Sequence, residues 1–187
     1  PALCAGNACA VKPAPSVARI SETLFGLVPK GLPLIGAWLS HEDTLKASED
    51  TDAMAFTGST HTGRLLAAHA GKHLKKTVLE LGGSNPFIIL PDADLQRAAI
   101  DACYSRFRDA GQSCNAAKRI IVTQDIAEQF IPLFLAECAK LQTGNPKDPN
   151  TTLAPLHRQD LRQTVHEQVQ DAVAHGAQCL SGGYIPE

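Results

Sequence analysis

A cysteine on a glycine-containing turn is the first residue of this sequence that could do chemistry. Cys114 ends the segment FRDAGQSC, which begins at Phe107 and lies between an amphipathic run and the apolar run 118–122. Gly111 allows a backbone geometry that a residue with a Cβ would resist, so the turn can direct the thiol into a cleft. This pattern makes Cys114 a candidate nucleophile. The alternative is that Cys114 is a small buried hydrophobic residue.

Glu80 is the second candidate, because it is a carboxylate in apolar surroundings. It lies in the segment VLELGG, residues 78–83, between leucines and before two glycines. A carboxylate in such a segment suits general-base catalysis if it lies in a cleft. If the strand alternates, Glu80 is an ordinary residue facing solvent.

Two further segments could bind a phosphorylated ligand. Phe56-Thr57-Gly58-Ser59 joins an apolar run to a predicted helix, and a helix N-terminus offers free N–H groups to a phosphate. Its glycine spacing differs from G-x-G-x-x-G, and an ordinary turn with a serine cap is the alternative. Lys12, before Pro13, follows an early strand and could donate hydrogen bonds to a ribose or phosphate, or simply be solvated.

The elements that position these residues alternate along the chain. Strands are predicted at 8–11, 34–39, 53–56, 77–81, 86–90, 118–123 and 177–180, and the strand at 53–56 is expected to be buried. Helices are predicted from a cap at Ser16, and at 43–49, 60–73, 95–107, 126–141 and 158–175. This alternation indicates an α/β fold, with a parallel sheet covered by helices on both faces. The change of character at Gly82-Gly83 predicts a domain boundary there.

Composition excludes several classes of protein. With a net charge of −2 there is no basic face for nucleic acid or anionic membrane. No apolar run reaches the roughly 20 residues of a membrane helix. The six cysteines form no C-x-x-C pair, which favours reduced thiols in a cytoplasmic protein. His69 and His73 have helical metal spacing, but no third ligand is near in sequence, so we expect a solvated helix face and no metal.

Together these motifs resemble the aldehyde dehydrogenase superfamily. Two of the motifs are the segment LELGG at 79–83 and the segment GQSC at 111–114. Their residues Glu80 and Cys114 are 34 positions apart. FTGS at 56–59 and the stretch from Ala5-Gly6-Asn7 to Val11-Lys12-Pro13 also match, in the same order. The resemblance covers essentially the whole chain, and residues 79–119 are most similar to the succinate-semialdehyde dehydrogenase branch.

The resemblance implies a domain organisation and a set of roles. Residues 1–82 would be the later part of a Rossmann-like NAD(P)-binding domain, and residues 83–187 the first part of the catalytic domain. Cys114 would be the nucleophile and Glu80 the general base. The cofactor, NAD or NADP, would contact Lys12 at the adenosine ribose, Gly58 and Ser59 at the pyrophosphate, and Leu81 at the nicotinamide.

The resemblance also implies a substrate and an assembly. Arg108 matches an arginine with which succinate-semialdehyde dehydrogenases hold the distal carboxylate of the substrate. The alternative is a surface arginine paired with Asp109 or Asp101. At the position of a glutamate that often holds the ribose of NAD, this chain has Pro15, so we expect NADP to be used as well as NAD. A homodimer or homotetramer is expected.

The chain departs from the family pattern at both ends. The asparagine that helps to bind the oxyanion would precede Pro1. The glutamate of a Glu-x-Phe-Gly-Pro motif and the oligomerisation hairpin would follow Glu187. We therefore expect a middle fragment, and a truncated non-catalytic copy is one alternative function. A thiol hydrolase, in which a histidine activates Cys114, is the other.

Overall fold

Six strands, paired in parallel two by two, form the framework of the computed structural model, which describes residues 1–185. The strands are β1 Cys9–Val11, β2 Leu34–Gly36, β3 Ala53–Thr57, β4 Lys76–Glu80, β5 Asn85–Ile89 and β6 Ala117–Val122. β1 pairs with β2, β3 with β4 and β5 with β6. The parallel pairing confirms the α/β class, although within residues 1–185 the hydrogen bonds join three separate pairs and not one sheet.

A helix lies in the crossover of every strand pair, as parallel strands require. The helices are α1 Ala18–Gly26, α2 His41–Glu49, α3 Thr60–Lys72, α4 Leu95–Phe107, α5 Gln124–Cys138 and α6 Gln159–Ala174. Three of them begin at a side-chain cap, in which an oxygen of Ser40, Ser59 or Asp94 accepts a hydrogen bond from a first-turn N–H. None of the helices within residues 1–185 is long and apolar enough to cross a membrane.

Two predictions of secondary structure are wrong: the helix cap at Ser16 and the strand at 177–180. Ser16 caps no helix: it lies inside a 3₁₀ turn that Pro15 begins, and α1 starts two residues later. Proline has the fixed φ that suits the first position of such a turn. Residues 177–180 form no strand, because no neighbouring strand pairs with them within residues 1–185. Instead the Cys179 thiol donates to the carbonyls of Ser181 and Gly182.

The chain divides into two compact units, Pro1–Leu81 and a second that begins at Gly82. The second unit has the apolar core, formed by residues from β5, α4 and α5: Ile89, Ala99, Ala102, Ile126 and Phe130. In the first unit β3 alternates exposed and half-buried residues, so the expectation that 53–56 is a buried strand is wrong. The reason is that within residues 1–185 β3 pairs with β4 alone.

Candidate functional site

Cys114 lies on the turn between α4 and β6, and its side chain is exposed. The prediction that this thiol is on a turn is confirmed, and the alternative of a buried small residue is wrong. The backbone N–H of Cys114 makes no hydrogen bond within residues 1–185. An exposed thiol beside a free N–H donor is the arrangement that a nucleophile and its oxyanion need.

Three consecutive residues before this turn have left-handed backbone conformations. Asp109, Ala110 and Gly111 have φ of 52°, 56° and 75°. A Cβ on Gly111 would lie 2.9 Å from the carbonyl oxygen of Arg106, so both the φ and the space require glycine there. Left-handed residues other than glycine store strain, which tends to occur at functional sites. The sequence indicated Gly111, but nothing in it distinguished Asp109 and Ala110.

Lys118, the second residue of β6, stabilises the cysteine turn through hydrogen bonds. Its Nζ donates to the carbonyl of Ser113 at 2.6 Å and to that of Cys114 at 3.2 Å. On the other side, Gly83 packs so closely that a Cβ there would lie 3.0 Å from the Cys114 carbonyl oxygen. Neither the role of Lys118 nor that of Gly83 was predicted from sequence. For Lys118 the available signal was a lysine four residues after the cysteine.

Arg108 lies at the C-terminal end of α4 and is exposed. It lines a cavity of about 320 Å³ next to the cysteine turn, and the other lining residues are Phe87, Asp101, Tyr104, Ser105, Ser113 and Asn115. Within residues 1–185 it forms no ion pair, because Asp101 is paired with Arg97 at 2.8 Å. The alternative in which Arg108 pairs with Asp101 or Asp109 is therefore wrong for the described residues. The guanidinium is available to an anionic ligand.

The Gln112 side chain hydrogen-bonds the cysteine turn to the segment at His157, 45 positions away along the chain. Its Oε1 accepts a hydrogen bond from the backbone N–H of His157 at 2.8 Å, and its Nε2 donates to the carbonyl of Asp109. His157 thus comes near the cysteine turn through its main chain. No hydrogen bond joins its ring to the Cys114 thiol among the described residues, so the histidine activation that a thiol hydrolase needs is not formed in this structure.

In the first unit, Glu80 and Gly58 meet at the carboxyl ends of β4 and β3. The backbone N–H of Gly58 donates to the carbonyl of Glu80 at 3.0 Å, and Glu80 is opposite Thr57 in the register. Glu80 is exposed. A Cβ on Gly58 would lie 2.5 Å from the Phe56 ring, so a larger residue here would require that ring to move.

Ser59 caps α3, as the structural alternative for this motif predicted. Its Oγ accepts a hydrogen bond from the N–H of Thr62 at 3.1 Å. Within residues 1–185 the N–H groups of Thr60 and His61 have no partner. The start of this 13-residue helix therefore has two free donors and a positive dipole end for an anion, which fits the pyrophosphate of a dinucleotide.

Leu81 and Lys12 complete the residues predicted from sequence in this unit. Leu81 is half-buried against α3, where a Cβ on Gly63 would lie 2.6 Å from its Cδ2. Lys12 follows β1, and its Nζ donates to the carbonyl of Pro13 at 3.3 Å. It is carried by the pair β1–β2, whereas Gly58 and Glu80 are on β3–β4.

The predicted site residues thus form two groups, one in each compact unit. Gly58, Ser59, Glu80 and Leu81 lie at the ends of β3 and β4 in the first unit, and Lys12 lies in the same unit after β1. Cys114 and Arg108 are in the second unit, at either end of the left-handed turn.

Comparison with known proteins places the chain in a family. Succinate semialdehyde dehydrogenase [NAD(P)+] Sad of Escherichia coli (strain K12) is 39% identical over 192 residues, which cover 98% of this chain and 41% of that protein. Succinate-semialdehyde dehydrogenase [NADP(+)] 1 of Mycobacterium tuberculosis (strain ATCC 25618 / H37Rv) is 39% identical over 189 residues, 98% of this chain and 41% of its own length. The chain thus spans about two fifths of these relatives.

Solved structures agree with the sequence relatives. The crystal structure of succinic semialdehyde dehydrogenase from Streptococcus pyogenes, in complex with NADP+, has a TM-score of 0.92 and 33% identity. It covers 99% of this chain, which corresponds to 42% of that structure. Residues 1–187 of this chain match the model of the Aldehyde dehydrogenase family. The chain therefore belongs to the aldehyde dehydrogenase family.

Proposed function

We propose that this protein oxidises an aldehyde to the carboxylic acid with NAD(P)+, and that its substrate is succinate semialdehyde. The observation that carries the proposal is the exposed Cys114 thiol on a strained, braced turn, with the unpaired Arg108 beside it on a cavity of about 320 Å³. Family membership supplies the reaction class. In this proposal residues 1–82 bind the dinucleotide and residues 83–187 carry the thiol.

Cys114 performs the covalent step. Its thiolate attacks the aldehyde carbon and forms a C–S bond, giving a thiohemiacetal whose oxygen carries the negative charge. In this proposal the N–H of Cys114, which has no partner within residues 1–185, donates to that oxygen. Lys118 donates hydrogen bonds to the Ser113 and Cys114 carbonyls and so supports the turn that carries the thiol.

When bound by Lys12, Gly58 and Ser59, NAD(P)+ would supply the acceptor for the hydride that leaves the thiohemiacetal carbon. Loss of hydride and collapse of the oxyanion convert the Cys114 adduct into a thioester. Glu80 then takes a proton from water, and the resulting hydroxide attacks the thioester carbonyl. The C–S bond breaks, the acid leaves and Cys114 is regenerated as the thiolate.

The residues present fit the dinucleotide. Thr60 and His61 offer free N–H groups to the pyrophosphate beside Gly58 and Ser59, and Lys12 holds the adenosine ribose. Pro15 is exposed on the 3₁₀ turn that follows Lys12 and has no carboxylate to repel a 2′-phosphate. We propose that NADP is used as well as NAD, in keeping with the cofactors named for the relatives.

The substrate is proposed from the position of Arg108. A guanidinium without an ion-pair partner in residues 1–185, on a cavity near the thiol, can hold a carboxylate in a bidentate manner. Succinate semialdehyde has such a carboxylate at the end distal to its aldehyde. Ser113 and Asn115 line the same cavity and offer further hydrogen bonds.

Replacement of the thiol tests this function in the native enzyme. Cys114→Ala should abolish oxidation of succinate semialdehyde and leave NAD(P)+ binding nearly unchanged. Cys4→Ala, which also removes an exposed thiol, is the matched control and should retain activity. Oxidation that persists in Cys114→Ala would refute the assignment. Nucleotide binding by a native protein without turnover would favour the non-catalytic alternative.

A further inference from the structure

A histidine pair and a carboxylate meet on the side of α3 that faces α2. His69 lies in the last turn of α3, His73 is the residue that ends it, and Glu49 is the last residue of α2. Their ligand atoms all lie within 4.8 Å of one another. No third ligand lies near the two histidines in sequence: Glu49 is 20 positions from His69 along the chain but adjacent to it in the fold.

The distances within this cluster are close to those of a metal centre. The Nε2 atoms of His69 and His73 each lie 3.6 Å from Oε1 of Glu49. Two ligands of a tetrahedral zinc ion are about 3.3–3.6 Å apart, given Zn–N and Zn–O bonds of about 2.0–2.2 Å. The two histidine–glutamate separations lie at the upper end of this range, and all three ligand atoms lie within 4.8 Å of one another. The two imidazole rings are already side by side, with centroids 4.7 Å apart.

One of the nitrogen atoms lacks a partner. Nε2 of His69 is shielded from solvent and makes no hydrogen bond within residues 1–185. A buried polar atom without a partner costs free energy, and a bound cation would remove that cost. The His69 side chain is 19% exposed, whereas those of His73 and Glu49 are 35% and 43% exposed. A cation can therefore enter from the solvent side and keep water as a fourth ligand.

We propose that Glu49, His69 and His73 bind a divalent transition-metal cation, for which two imidazoles and a carboxylate favour Zn²⁺. The cation links the last residue of α2 to the end of α3. Glu49 precedes β3 and His73 precedes β4, and Ala53 and Lys76 are the first residues paired in those strands. The site thus clamps the amino ends of β3 and β4. Ser59, at the other end of the 13-residue α3, is about 20 Å away along the helix axis.

Zinc binding to the EDTA-treated chain tests the proposal, with Zn²⁺ measured by competition against a chromophoric chelator. His73→Ala and Glu49→Gln should each lose one bound equivalent or bind it at least tenfold more weakly. His61→Ala is the matched control, because it removes a histidine from the first turn of the same helix. Cysteine thiols also bind Zn²⁺, but they are common to all variants, so the difference between variants isolates this site.

Thermal stability gives a second readout. Zn²⁺ should raise the Tm of the parent chain and of His61→Ala, because a ligand that binds only the folded state stabilises it, and should leave the Tm of His73→Ala unchanged. His73 is chosen over the more buried His69 so that the variant folds. The proposal is overturned if His73→Ala and the parent bind the same number of equivalents with the same affinity, or if His61→Ala loses an equivalent as His73→Ala does.

Discussion

The carbonyl oxygen of Glu80 accepts a hydrogen bond from the backbone N–H of Gly58 at 3.0 Å. Thr57 and Glu80 are the last pair of residues in the β3–β4 ladder, and this bond extends the ladder by one residue on the β3 side. It fixes the main chain of the proposed base to the loop that is proposed to bind the pyrophosphate. Since the bond involves only backbone atoms, the carboxylate of Glu80 remains exposed and free to act on water.

The carboxylate of Glu80 can therefore be changed without disturbing that bond. In the native enzyme Glu80→Gln should still release a burst of reduced cofactor, because the amide does not prevent formation of the thioester. Steady turnover should fall by about two to four orders of magnitude, the usual effect of losing a general base. Stopped-flow absorbance of the reduced cofactor separates the two phases. Unchanged steady turnover would make Glu80 a structural residue.

The left-handed turn before Cys114 can be tested through its glycine. Gly111→Ala should destabilise the protein by about 1–3 kcal/mol, because φ is +75° and the new Cβ would meet the carbonyl of Arg106 at 2.9 Å. Gly176→Ala is the control: its φ is +94°, but a Cβ there meets no atom within 4 Å. The difference between the two free energies of unfolding, measured with urea, reports the close contact. Equal losses would show that only φ matters.

The sequence predicted this turn but not its form. Gly111 marks a position where positive φ is easy, and the helix and strand on either side have clear apolar periodicity. Asp109 and Ala110 are not glycines, so the sequence did not indicate their left-handed conformations. Those conformations occur next to the side chain of Arg106, which lies close to Gly111, and beside the hydrogen bond from Gln112 to the Asp109 carbonyl. Local spacing carries no information about contacts of that kind.

Long-range contacts explain the other differences. Glu49 and His69 meet because α2 packs on α3, and no pattern in the intervening residues records that contact. The strand predicted at 177–180 has suitable residues but no partner within residues 1–185, and strand formation depends on pairing. Conversely α4 has the predicted bounds, 95–107, because its cap and its apolar face are both local signals.

Two cysteines on α4 and α5 should be chemically inert. The Cys103 and Cys138 thiols face each other between α4 and α5, and burial raises the pKa of both, that of Cys138 to about 12 from an ordinary 9.0. The fraction of Cys138 present as thiolate near pH 8 is then about a thousandfold below that of an ordinary thiol, since each pKa unit is a factor of ten. Brief treatment with iodoacetamide, followed by peptide mass spectrometry, should label Cys138 at least a hundredfold more slowly than the exposed Cys179.

The same shift predicts a dependence of stability on alkaline pH. The folded protein keeps the Cys138 proton when the unfolded chain has lost it, so the unfolded state binds fewer protons above pH 9. The contribution of Cys138 to the free energy of unfolding is therefore fully present below about pH 9 and is lost as the pH rises toward 12. Cys138→Ala should have a shallower decline over this range than the parent. A decline of equal slope, or rapid labelling of Cys138, would contradict the raised pKa.

Arg108 provides the test of substrate choice, because it is exposed at the cavity and no carboxylate pairs with it within residues 1–185. In the native enzyme Arg108→Ala should raise the KM for succinate semialdehyde about tenfold or more, since a charge-assisted hydrogen bond contributes about 1.5–3 kcal/mol. The KM for butanal, which has the same chain length and no carboxylate, should barely change. Arg162→Ala, which removes an exposed arginine from α6, is the control for the loss of one positive charge and should alter neither value. Initial rates with both aldehydes give the four comparisons. If Arg108→Ala weakened both substrates equally, Arg108 would support the turn that carries Cys114 and would not select the substrate.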